Sequence, residues 1–88
     1  MKEKILMVKN RAGIHARPAA LIAQVANKFE AEITFTYNDM NINAKSIMGV
    51  ITMAASYNTS ITARAEGSDE KEALDALSNL FESKFQEE

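Results

Sequence analysis

The sequence predicts an α+β fold in the element order β-α-β-β-α-β-α, with an antiparallel sheet covered on one side by helices. Two observations predict it. Apolar and polar residues alternate strictly through 32–37 and 60–66, the period of a half-buried strand. Between them, apolar residues recur at three- and four-residue steps, the period of a helix with one buried face.

Residues 3–8 (Glu-Lys-Ile-Leu-Met-Val) read as the first strand, and 9–15 as a loop holding Gly13. A helix is expected from Ala16 to Asn27, with Pro18 in its first turn, where a missing N–H costs nothing. Leu21, Ile22, Val25 and Phe29 form its predicted apolar stripe. In 32–37, Ile33, Phe35 and Tyr37 should face the core, and Thr34 and Thr36 should face solvent. Asn38-Asp39 is turn chemistry, leading to a short strand at Met40–Asn43.

Ser46 is placed to cap a short helix over Ile47–Met53, in which Ile47, Val50, Ile51 and Ala54 point inward. Tyr57-Asn58-Thr59 is a predicted turn. Ser60–Glu66 follows as a strand with Ile61, Ala63 and Ala65 on one face. Gly67-Ser68-Asp69 should end that strand, and Asp69 with Glu72 forms a predicted capping pair for the last helix. Ala73, Leu74, Leu77, Leu80, Phe81 and Phe85 are its predicted buried stripe, and Gln86-Glu87-Glu88 is expected to fray.

Eighty-eight residues allow one domain, 1–88, with a modest core. The composition, 47% hydrophobic and 25% charged, argues against disorder. The absence of cysteine excludes disulfides, Cys-ligated zinc and thiol catalysis, and fits a reducing compartment. No apolar run suits membrane insertion or a signal peptide, so the expected location is cytoplasmic.

Net charge is −2, unevenly spread. Residues 1–58 carry seven Lys/Arg against four Asp/Glu; residues 59–88 carry three against eight. The basic half contains the only histidine. That excess is too weak for nucleic acid, but it suits an acidic protein partner or a phosphate.

The chemistry concentrates in Gly13-Ile14-His15-Ala16-Arg17-Pro18-Ala19. His15 precedes a predicted helix, where the first backbone N–H groups lack helical acceptors and the dipole is positive. The Ala16 and Arg17 amides would therefore favour a phosphate, and the Arg17 guanidinium adds a forked donor. A neutral imidazole nitrogen is a competent nucleophile near neutral pH. Position alone does not settle the matter, because a histidine near a helix start is usually an ordinary surface or capping residue. A metal site lacks a second histidine or any cysteine, no motif supports a Ser-His-Asp triad, and nothing calls for a metal or organic cofactor.

This segment resembles the active-site signature of HPr, the histidine-containing phosphocarrier family of the phosphoenolpyruvate-dependent sugar phosphotransferase system. Lys45-Ser46-Ile47-Met48-Gly49-Val50 resembles that family's second signature, around a regulatory serine. The resemblance covers nearly the whole chain. It implies an open-faced β-sandwich of four antiparallel strands with three helices on one face. It also implies a phosphoryl carrier rather than an enzyme. Enzyme I would phosphorylate His15 on Nδ1, the IIA domain of a sugar permease would receive the group, and Arg17 would steady the phosphate. An HPr kinase/phosphorylase would act on Ser46.

Ile47, Met48 and Ile51 are expected to form a docking surface, Met48 being the most exposed. The protein is expected to be a monomer. Ala12 departs from the Ser or Asn frequent in relatives, so side-chain capping of the first helix is in doubt. Ala54 and Asn58 replace frequent glycines. Two other readings stand beside the carrier. One is a mainly regulatory protein controlling carbon metabolism; the other is an interaction module with an inert histidine.

Overall fold

Alternating side chains sort onto the two faces of one sheet. The computed structural model describes residues 1–86. Its strands are β1 (Lys2–Met7), β2 (Glu32–Tyr37), β3 (Met40–Asn43) and β4 (Ser60–Glu66). They pair antiparallel in the order β1-β4-β2-β3. The register sets Leu6 opposite Ile61, and Phe35 opposite Ala63 and Ile42. Leu6, Ile33, Phe35, Ile61, Ala63 and Ala65 are all buried. On the outer face, Ile5, Thr62, Thr36 and Asn41 line up across all four strands, and Ile5 there is 66% exposed.

The helices α1 (Ala16–Ala26), α2 (Ile47–Met53) and α3 (Glu70–Glu82) cover the inner face. This is the expected architecture: an open sheet of four antiparallel strands with three helices on one side. Asn38 and Asp39 both take positive φ, 48° and 64°, which matches the right-handed twist of the β2–β3 hairpin.

Several local expectations are corrected by packing. In α1 the fully buried residues are Pro18, Ala19, Ile22, Ala23 and Ala26. Of the predicted stripe only Ile22 is among them; Leu21, Val25 and Phe29 are half-buried or packed at the rim of the core. Val25 and Phe29 line a groove shared with α3, which covers them incompletely. Small alanines sit where α1 is most deeply buried. In α2 the buried residues are Val50 and Met53, whereas Ile47 and Ala54 are exposed and Ile51 is half-buried. Tyr37 is half-buried.

The predicted Asp69–Glu72 capping pair does not form. Both Asp69 oxygens instead accept backbone amides from the α1–β2 connection, Glu30 N–H and Ala31 N–H, each at 2.9 Å. Glu70 reaches back to the Gly67 amide at 3.1 Å and also meets the N-terminal ammonium at 3.1 Å. Gly67 has φ 154°, and a Cβ there would lie 2.6 Å from the Ala31 Cα. The turn before α3 is thus pressed against residue 31.

Helix α3 ends at Glu82, short of the predicted Phe85. Lys84, Phe85 and Gln86 turn left-handed, with φ of 58°, 56° and 62°. The turn swings Phe85 inward to full burial, 4.7 Å from the Phe81 ring, and Phe81 in turn meets Phe35 edge-on at 6.1 Å. Aromatic burial offsets the backbone cost of the turn. The Gln86 amide donates to Ser83 O at 3.0 Å. The fraying expected of Glu87 and Glu88 lies outside the described residues. Among the described residues no helix is long and apolar enough to cross a membrane.

Candidate functional site

The loop between β1 and α1 is built to hold residue 15 at a helix mouth. The Gly13 amide donates to Asn10 O at 3.1 Å, and Asn10 Nδ2 donates to Gly13 O at 2.7 Å. Gly13 takes φ 75°, and a Cβ there would approach Ala55 O to 2.9 Å. Only glycine fits that turn without strain. The Ile14 amide donates to Ala55 O at 2.9 Å, and the Ile14 side chain is buried. The chain thus reaches His15 from an anchored base.

His15 is the N-cap of α1, with extended backbone (φ −106°, ψ −165°). Its carbonyl accepts the Ala19 amide at 2.9 Å, and its side chain makes no capping bond. The doubt over side-chain capping is consistent with this: the N-cap side chain gives α1 no capping hydrogen bond. His15, Ala16 and Arg17 are exposed, while Pro18 and Ala19 are buried beneath them. The Ala16 and Arg17 amides lie in the first turn, before any helical acceptor, and Pro18 contributes no N–H. An imidazole, two outward amides and a guanidinium therefore share one exposed helix end. That arrangement can hold an anion and present a nucleophile to it.

Ser46 lies elsewhere. It is the N-cap of α2, and its Oγ accepts the Gly49 amide at 3.0 Å. Lys45, just before it, sends Nζ back to Phe29 O at 2.7 Å. Met48 is 71% and Ile47 45% exposed, and Ile51 is half-buried. The expected docking residues therefore form an open apolar strip on α2, which packs beside α1. Ile47 points outward, against the inward placement periodicity gave it; Val50 and Met53 supply the buried face instead.

Two contributors were not among the sequence-based candidates. Asn10 is fully buried, and Ala55 gives the carbonyl under Ile14. Asn10 carried a signal, an asparagine three residues before a glycine in a loop. Ala55 carried none.

Comparison with known proteins gives the family. Residues 2–83 match the family model for the PTS HPr component phosphorylation site. The chain is 49% identical to the phosphocarrier protein HPr of Treponema pallidum (strain Nichols), over all of both chains. It is 48% identical to an HPr from Thermoanaerobacter tengcongensis solved by crystallography, with TM-score 0.95, covering 100% of this chain and 99% of that one. A crystal structure of Crh, the Bacillus subtilis catabolite repression containing protein, described as a swapped dimer, shares 38% identity. Its TM-score is 0.76, over 94% and 95% of the two chains. Two sequence signatures in register, the open sheet, the exposed histidine at a helix mouth and full-length likeness converge: the chain belongs to the HPr family of phosphocarrier proteins.

Proposed function

We propose that this phosphocarrier accepts a phosphoryl group on His15 from enzyme I and donates it to the IIA domain of a sugar permease. The observation that carries the reading is the exposed His15 ring at the mouth of α1, beside the outward Ala16 and Arg17 amides. In the first step an imidazole nitrogen attacks phosphorus, the new P–N bond forms, and the bond from phosphorus to the donor breaks. The outward amides and the Arg17 guanidinium receive the phosphoryl oxygens. In the second step a nucleophile on the IIA domain takes the group and the imidazole is restored. The chain works as a monomer in the cytoplasm, and its partners supply the catalysis.

Ser46 is the regulatory site in this reading, phosphorylated by an HPr kinase/phosphorylase. A phosphate there meets the α2 N-terminus, so it need not disturb the fold. It adds about −1.5 to −2 charge beside Ile47, Met48 and Ile51, the surface that docks enzyme I. A mainly regulatory role in carbon metabolism is the second reading. The likeness to Crh favours it.

The test is incubation with enzyme I and phosphoenolpyruvate, followed by assay for an acid-labile, base-stable phosphate. His15→Ala should abolish the label, and Arg17→Ala should slow its appearance with the fold intact. Label that persists in His15→Ala overturns the site. Efficient labelling by enzyme I without onward transfer to any IIA domain would favour the regulatory reading.

A further inference from the structure

Among the described residues, one polar side chain is buried completely, and it belongs to the loop that carries His15. Asn10 has no exposed surface, yet an amide buried in a core is costly unless it is hydrogen-bonded. Its Nδ2 donates to the Gly13 carbonyl at 2.7 Å. The Gly13 amide returns a bond to Asn10 O at 3.1 Å, so residues 10–13 are closed by side chain and main chain together.

That turn has one exit. Gly13 runs against the 55–56 backbone so closely that a Cβ would meet Ala55 O at 2.9 Å and Ser56 Cα at 3.3 Å. The next amide, Ile14 N–H, donates to Ala55 O at 2.9 Å, and the next residue is His15. The Gly13 carbonyl is thus drawn inward by Asn10 and the Ile14 amide is held by Ala55. The peptide plane between Gly13 and Ile14 is fixed from both ends. From the other side, the Ala19 amide holds His15 O at 2.9 Å. His15 has little backbone freedom left, and Asn10 contributes a side chain to this set of restraints.

We infer that Asn10 is a positioning residue for phosphoryl transfer at His15, acting through the Gly13 carbonyl. It rests on the reading of His15 as the phosphoryl acceptor. Asn10 touches neither phosphate nor partner. It narrows the directions from which the imidazole meets the incoming phosphorus, and in-line transfer is sensitive to that alignment. An apolar residue would fill the same space without a buried amide, but it would leave the Gly13 carbonyl without this donor.

The experiment compares wild type, Asn10→Ala and Asn10→Asp as acceptors from phosphorylated enzyme I. Rates are taken across a range of pH and normalised to wild type at each pH, and the folded fraction is followed by amide NMR. Asn10→Ala should lower kcat by about tenfold to a hundredfold, with KM nearly unchanged, because docking residues on α2 are untouched. Asn10→Asp should be pH-dependent. A protonated carboxyl can donate to Gly13 O and a carboxylate cannot, so its relative rate should recover as pH falls.

A wild-type kcat in folded Asn10→Ala would overturn the proposal. So would a pH-independent ratio for Asn10→Asp, or a rate loss that merely tracks the unfolded fraction. His15→Ala is run alongside. Label retained there defeats the phosphoryl-acceptor reading itself. Label lost there with Asn10 variants unaltered defeats only the positioning role.

Discussion

Asn27 ties the end of α1 to the residue before Ser46: its Nδ2 donates to Ala23 O at 2.7 Å and to Lys45 O at 3.0 Å. At the other end of the pair, Ile14 donates to Ala55, just past α2. The two helices therefore run in opposite senses, with His15 at one end and Ser46 at the other. Helix α1 has 11 residues, so the two sites stand on the order of 16 Å apart at 1.5 Å per residue. That exceeds a Debye length of about 8 Å at physiological salt. A phosphate on Ser46 reaches His15 only weakly through solvent; its influence falls on whatever docks along α2.

Ser46→Asp is therefore expected to raise KM for enzyme I and leave kcat close to wild type. Asp is a good N-cap, so the melting temperature should hardly move, whereas Ser46→Ala should cost about 0.5–2 kcal/mol of stability. Steady-state transfer kinetics with thermal denaturation check both, and a fall in kcat alone would contradict the docking argument.

Met48→Asp should weaken enzyme I binding by more than about 1 kcal/mol, as loss of a central docking contact does. Its stability should stay within about 0.5 kcal/mol of wild type, because the side chain is already mostly in solvent. Calorimetric titration against enzyme I measures the first and chemical denaturation the second.

Asp69 gives the fold a dependence on acid. The Glu30 amide, first, and then the Ala31 amide hold its carboxyl below the ordinary value of 3.8. Because the folded value is depressed, the contribution is fully present above pH 3.8 and is lost as pH falls through the lower, folded value. Glu70, held down chiefly by the Gly67 amide, acts with the same sign. Asp69→Ala should lower stability at neutral pH and flatten its decline below about pH 4, near the ordinary carboxylate value. Urea denaturation midpoints from pH 2 to pH 7 would show it.

Phe85→Ala should be among the most damaging single changes, costing about 3–5 kcal/mol. It empties the place beside Phe81 and removes the reason for the left-handed turn at 84–86. Chemical denaturation measures the loss. A cost below about 1 kcal/mol, the level of an ordinary surface change, would mean the ring is not an integral part of the core.

Ala54→Gly should stabilise the protein. Ala54 ends α2 with φ 54°, a left-handed conformation that costs an L-residue about 1–2 kcal/mol and glycine almost nothing. Part of that gain is returned as glycine's extra freedom in the unfolded chain, so a net rise of about 0.5–1 kcal/mol is expected. A lower melting temperature in the variant would refute this.

Much of this protein was legible without coordinates. Strict alternation in 32–37 and 60–66 specified two strands and their buried faces, Ser46 announced a cap, and Asn38-Asp39 announced a hairpin turn. The histidine and arginine at a helix start marked a candidate site that only the resemblance of residues 13–19 to a family signature singled out, and each of those signals acts between neighbours in the chain. Tertiary structure alone decided the rest. It set which face of α1 is covered, recruited Asp69 to amides at residues 30 and 31, folded Phe85 inward, and buried Asn10 beneath Gly13. It also placed His15 and Ser46 at opposite ends of a helix pair. These outcomes depend on which distant groups compete for the same space and the same hydrogen bonds, and that competition exists only once the chain has packed.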